Sequence, residues 1–194
     1  MAGLLDLEKH YAFYGAYHGN PVNVLIHVLF VWPIFFSALL LFYFTPPFFH
    51  VAKPLGLPLV FNFGSVVAAF YALFYLLLER KAGSLAALLC ILCWVGSSIL
   101  GSHLGFSLGW KLGLVVQLFC WTGQFIGHGV FEGRAPAILD NLFQALVTGP
   151  LFVLLEVLDR FFGYEPYPGF LARVNARIEA ERKEWQASKR NKSS

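Results

Sequence analysis

Two stretches almost empty of charge constrain this chain more than any other feature. Between His10 and Leu78 the only Asp, Glu, Lys or Arg is Lys53, and between Ala82 and Phe131 it is Lys111. Each run is long enough to cross a bilayer, whose ~30 Å hydrocarbon core takes about 20 residues of helix. Soluble domains carry roughly a quarter charged residues, against 13% here, with 58% hydrophobic residues and a mean hydropathy of +0.64. The expectation is an all-α integral membrane protein.

Its 194 residues leave room for roughly four or five spans. Four are predicted at about Val22 to Phe44, Leu57 to Leu78, Leu85 to Leu104 and Leu108 to Phe131. The breaks fall at Thr45-Pro46-Pro47 with Lys53-Pro54, at Glu79 to Gly83, and in a glycine-rich turn near Gly105. A fifth apolar segment, Ile138 to Phe162, carries Asp140, Asn141, Gln144, Glu156 and Asp159 and is interrupted at Gly149-Pro150. A re-entrant or interfacial segment is preferred there to a span. Four crossings put Arg80, Lys81, Arg134 and the basic tail on one side, expected to be cytoplasmic with both termini, and Lys53 across the membrane.

The ends differ from the middle. Leu4 to Tyr17 is a short amphipathic stretch without the layout of a cleaved signal peptide, so the first span is expected to act as the targeting signal. Phe170 to Ser194 carries seven Lys/Arg against three Glu, which suits a helix on an anionic membrane surface or a solvated tail that only sets topology. The expected division is a membrane-embedded helical bundle over residues 1–165 and a basic amphipathic tail over 166–194. Cys90, Cys93 and Cys120 fall inside spans and are expected to be small buried hydrophobes, with neither a disulfide nor a thiolate metal site.

Polar residues on apolar helices carry the functional signal, because such groups are costly in lipid and point to the bundle interior. In "YHGNPVNVLIH", Asn20 is placed to cap a helix with Pro21 at its first position. Asn20, Asn23 and His27 then share one face, with His27 about 10 Å inside the helix start and His18 in the loop just before it. In "QLFCWTGQFIGHGVFEGRAPA", Gln117, Trp121, Gln124, His128 and Glu132 form a second stripe. With four spans the two stripes end on the same side, so His18, His27 and His128 can converge as a metal site for iron, zinc or copper. Gln117 is expected to be interhelical hydrogen-bond glue. His10 and His50 are expected to have no special role.

His103 leaves two readings open. A simple helical hairpin places it on the far side of the membrane, whereas the run of Gly96, Gly101, Gly105 and Gly109 can be irregular backbone that folds it toward the site.

The segments "FYGAYHGNPVNVLIH", "GSHLG" and "GQFIGHGVFEGRAPAILDNLFQALVTGPLFVLLEVL" resemble the fungal 2-hydroxy fatty acid dioxygenase family, which also has bacterial and plant members. The similarity runs from Leu4 to about Pro166. The resemblance implies an endoplasmic-reticulum enzyme of fatty-acid α-oxidation, in phytosphingosine breakdown, that uses Fe2+ and O2 to shorten a 2-hydroxy long-chain fatty acid by one carbon. It also implies that His18, His27, His103 and His128 are essential.

A 2-hydroxy acid can chelate iron through its hydroxyl and carboxylate, which suits a His-rich ion with open positions. Arg134 is a candidate to neutralise the substrate carboxylate, or an ordinary cation at a helix end. Glu132 is placed to orient His128 or to serve as a ligand. Asn20, Asn23 and Gln124 are candidates to support the ligands. No nucleotide cofactor is expected, for want of a Gly-rich motif, and no nucleic-acid partner. Diiron hydroxylases resemble HxxxH and HxxHH boxes, which six scattered histidines cannot supply. The stronger rival is a non-enzymatic lipid-binding or membrane-shaping protein.

Overall fold

A computed structural model describes residues 3–49 and 56–193, so His50, Lys53 and Pro54 lie outside the described residues. Among the described residues, six α-helices follow one another: α1 (Leu7–Tyr17), α2 (Pro21–Tyr43), α3 (Phe63–Leu78), α4 (Lys81–Ile126), α5 (Leu142–Phe162) and α6 (Phe170–Ser193). A π-helical segment, Gly127–Glu132, continues α4, and a 3-10 turn, Ala137–Leu139, precedes α5. No strand occurs among the described residues.

The helices start where the sequence offers a cap. Asn20 caps α2, its Oδ1 accepting from Val22 N at 2.9 Å, and Pro21 fills the first helical position, where no amide is needed. Asn62 links two ends. Its Oδ1 accepts from Gly64 N at 2.9 Å to start α3, while its amide donates to the carbonyl of Phe42 at 2.7 Å near the end of α2. Glu79 receives the amides of Lys81, Ala82 and Gly83 and starts α4; its negative charge complements the helix dipole.

Among the described residues, two helices, Pro21–Tyr43 and Lys81–Glu132, are long and apolar enough to cross a membrane. The second has 52 residues, far more than the ~20 that one crossing uses. It reverses. At Gly105 the backbone leaves helical geometry (φ 66°, ψ 173°), and both arms pack on α2. Gly96 abuts Phe36 and Gly101 abuts Tyr43; beyond the turn, Gly109 abuts Phe44, Gly123 abuts Phe30 and Gly127 abuts Asn23. The first arm therefore climbs α2 and the second descends it. The glycines read as irregular backbone are, Gly105 apart, helical positions: Tyr43 and Phe44 leave no room for a Cβ at Gly101 and Gly109, and Phe36 leaves a tight fit at Gly96, a packing common in membranes.

One end of the bundle holds the start of α2, the end of α3 and both ends of α4. The other holds the Gly105 turn, the end of α2 and the start of α3. α5 has both ends at the first of these. Gln144 Nε2 donates to the carbonyl of His10 at 3.4 Å, and beyond α5 the hydroxyl of Tyr164 donates to Glu79 at 3.1 Å. Between them the helix runs on through Pro150 without the break expected at Gly149-Pro150. A proline lacks the amide that would bond the carbonyl four residues back, here Leu146. The hydroxyl of Tyr71 takes that place at 3.2 Å, and the hydroxyl of Tyr75 bonds the next carbonyl, Val147, at 2.8 Å.

The buried core joins α1, α3, the first arm of α4, α5 and α6 around Tyr75, Phe152, Leu151 and Cys90. α6 belongs to it through Phe170 and Val174. Glu8 ties α1 to α6, accepting from Arg173 Nε at 2.6 Å and lying 3.3 Å from Arg177. Those guanidinium groups and the Tyr167 hydroxyl hold the Glu8 carboxyl below the usual carboxylate range. The three cysteines are free.

Candidate functional site

Three histidines meet near the first end of the bundle. His18 ends α1, His27 lies in the second turn of α2, and His128 sits in the π-helical segment, a distortion frequent at functional sites. Their ring centroids are 4.2 Å (His18 to His27), 5.0 Å (His18 to His128) and 4.8 Å (His27 to His128) apart. One nitrogen of each lies within 4.8 Å of one nitrogen of both others.

Their tautomers follow from the backbone. His18 Nδ1 is 2.6 Å from the carbonyl of Tyr14, and His27 Nδ1 is 2.9 Å from the carbonyl of Asn23. A carbonyl can only accept, so both Nδ1 atoms carry the proton and both Nε2 atoms present a lone pair. Tyr14 also stacks on the His18 ring at 4.0 Å. Burial, with the neighbouring His27 behind it, holds His18 well below the ordinary histidine range, which keeps it neutral. His18 Nε2 and His128 Nδ1 are buried without a partner. An orphaned buried polar atom costs about 1–3 kcal/mol, and two of them in one cluster fit a bound cation. Neutral imidazole is also the form that binds metals.

Glu132 fixes the frame around them. Its Oε1 accepts from the amides of Gly19 and Asn20, each at 2.6 Å, and from Asn23 Nδ2 at 3.2 Å. It thereby binds the loop carrying His18 and the start of α2, which carries His27, to the segment carrying His128. Its Oε1 is committed to that clamp, and Glu132 lies outside the histidine cluster. Asn23 is fully buried and also donates to the carbonyl of Tyr17 at 3.3 Å. Gly127 has no Cβ, which lets Asn23 Oδ1 lie against it.

The cluster opens into a cavity of about 380 Å³ between α1, α2, α3, the second arm of α4 and α5. Val31, Ile34, Phe35, Ala38 and Phe42 line it along one face of α2. Gln124 lines it beside the histidines; it is 5% exposed and its Nε2 has no partner. Gln117 also lines it, but donates to the carbonyl of Ile34 at 2.7 Å and accepts from Trp121 Nε1 at 2.9 Å. That is the structural role expected of it.

Two candidates lie elsewhere. His103 is exposed, two residues before the Gly105 turn, and Gly101 and Gly109 on either side of it pack on Tyr43 and Phe44 at the end of α2. From His27 to that level is about 25 Å by helix rise, so the fold does not bring His103 to the other three. Arg134 is absent from the cavity lining. Its guanidinium lies 3.5 Å above the Tyr17 ring and 5.2 Å from that of Trp185, and it donates to the carbonyl of Ala16 at 3.1 Å. His10 is buried on α1, with Nε2 2.9 Å from the carbonyl of Leu4.

Tyr14 was not singled out from the sequence. The signal was present, since it precedes His18 by four residues and so shares its helix face.

Comparison with known proteins gives one consistent result. A family model described as "2-hydroxy-palmitic acid dioxygenase Mpo1-like" matches residues 4–161. The Saccharomyces cerevisiae protein named 2-hydroxy-palmitic acid dioxygenase MPO1 is 34% identical over 177 residues, covering 91% of this chain and 90% of that protein. No solved structure matches.

Proposed function

Since the chain belongs to the Mpo1-like 2-hydroxy-palmitic acid dioxygenase family, we propose that it is an Fe2+-dependent membrane dioxygenase that uses O2 to shorten 2-hydroxy long-chain fatty acids by one carbon. The observation that carries this reading is the meeting of His18, His27 and His128 at the head of an apolar cavity. A lipid carrier or membrane-shaping protein needs the cavity, but has no use for three converging imidazoles with unspent nitrogens.

The three histidines would hold the ion, which supplies the redox chemistry with O2 that removes the carboxyl carbon. The carbonyls of Tyr14 and Asn23 fix two of the rings in the tautomer that binds a metal through Nε2, as supporting hydrogen bonds commonly do at metal sites. Glu132 holds the three ligand-bearing segments together. Recognition of the substrate's polar head falls to Gln124, whose free amide faces the same cavity; Arg134 is spent on Tyr17 and Ala16. Trp121 and Phe125 line the wall next to it and exclude water from the reacting carbons.

In this reading the chain crosses the membrane four times, through α2, α3 and the two arms of α4, with α5 dipping in and returning. Arg80, Lys81, Arg134 and α6 then share the end that holds the histidines, which the positive-inside rule makes cytoplasmic. An endoplasmic-reticulum location accords with a lipid substrate.

The test is anaerobic reconstitution of the purified protein with Fe2+, followed by 2-hydroxypalmitate and O2. A product one carbon shorter is expected, with near-stoichiometric iron that disappears in His27→Ala. Intact substrate beside fully bound iron would overturn the proposed activity.

A further inference from the structure

The polar groups of the cavity are spent everywhere except at its head. Gln117 is committed at both ends of its amide, and Gln144 bonds the carbonyl of His10 and the side chain of Asn141. Among the described lining residues, the unpartnered buried atoms are His18 Nε2, His128 Nδ1, Gln124 Nε2 and the hydroxyl of Tyr14, which stacks on His18, all near one end. Toward the other end the lining is Val31, Ile34, Phe35, Ala38, Phe42 and Val67. Such a space suits an amphiphile with one polar head and one straight apolar tail.

Its length can be read along α2. From His27 to Phe42 is 15 residues, or about 22 Å by helix rise. An extended chain advances about 1.2 Å per bond, the figure that gives an extended peptide ~3.5 Å per three-bond residue. The cavity therefore holds a tail of roughly 16 to 18 carbons. Phe42 closes the far end on α2, its ring leaning back toward the helix start as helical side chains do, and Val67 on α3 faces the same space. Ala38, one turn nearer the histidines on the same face, is the small residue that leaves the final stretch open.

We propose that Ala38, Phe42 and Val67 form the floor of the cavity and set the acyl length the protein accepts. This rests on the proposed function for the identity of the head group, but the measurement does not depend on turnover.

The full-length protein in detergent, without added metal or O2, is tested for competition between a fluorescent fatty acid and saturated 2-hydroxy acids from short to very long chain. Wild type is expected to bind best near 16 to 18 carbons, as estimated from chain and helix geometry. Ala38→Phe is expected to move the optimum to shorter acids and Phe42→Ala to longer ones. Each methylene is worth about 0.8 kcal/mol, or roughly fourfold in affinity, so excluding two of them weakens binding of the wild-type optimum about fifteenfold. If Ala38→Phe does not fold, Phe42→Ala and Val67→Trp carry the test in opposite directions. Length profiles that match wild type in the folded variants overturn the proposal, as does wild type binding all lengths equally or none. Shifted profiles in a protein that leaves 2-hydroxypalmitate intact with Fe2+ and O2 would retain the floor and remove the dioxygenase.

Discussion

At the scale of single residues, the histidine cluster is framed by groups that lie outside it. Glu132 accepts two backbone amides and the Asn23 side chain through one oxygen, and hydrogen bonds to a charged group are worth about 1.5–3 kcal/mol each. Glu132→Gln keeps the shape and removes the charge. It is expected to lower iron affinity by about tenfold to a hundredfold, the usual range for residues that support metal ligands, measured by titration with a competing chelator. Gly127→Ala acts on the same joint from the opposite side, because a Cβ there would lie 2.3 Å from Asn23 Oδ1. It too is expected to weaken iron binding. The residues at helical spacing were legible in the sequence: Asn20, Asn23 and His27 on one stripe, and Gln124, His128 and Glu132 on the other. What spacing could not give was Glu132's partners, backbone amides 112 and 113 residues away. An amide has no side-chain signature.

At the scale of elements, Gly105 decides the course of α4. Its φ of 66° and ψ of 173° fall in a region essentially reserved for glycine. Nothing lies within 4 Å of where a Cβ would stand, so Gly105→Ala costs conformational strain alone, about 1–3 kcal/mol. The expected result is a lower unfolding temperature in detergent. A glycine-rich turn near Gly105 was legible, but the packing of the neighbouring glycines was not, since composition alone does not separate a loop from a close helix contact. α6 offers a second element-scale prediction. The folded pKa of Glu8 is depressed, so the stability it contributes is fully present above the ordinary carboxylate value of about 4.3 and is lost as pH falls through the folded value. Hydrogen exchange in α6 is expected to accelerate only below about pH 4, and earlier in high salt, which screens surface charge pairs.

At the scale of the molecule, function is polarised. The histidine cluster, the clamp and the open head of the cavity sit at one end, while the Gly105 turn and His103 sit at the other. His103→Ala is accordingly expected to retain iron at wild-type stoichiometry, measured by metal analysis beside His128→Ala, which is expected to lose it. Equal loss in both would mean that the far end of the bundle reaches the metal in a way this fold does not provide. Composition announced an apolar all-helical chain, and the basic residues anticipated which ends lie together. The fate of His103 was not legible, because it depends on whether one glycine turns the chain back or unravels it.

The proline inside α5 has an implication for assembly. The carbonyl that Pro150 leaves without a helical amide is answered by the hydroxyl of Tyr71 on α3, so the polar groups of this wall of the cavity are fully satisfied only when its neighbour is in place. Because α2, α3, α4 and α5 all contribute to the cavity's lining, a lipid-sized space is enclosed only once α5 has packed on the rest.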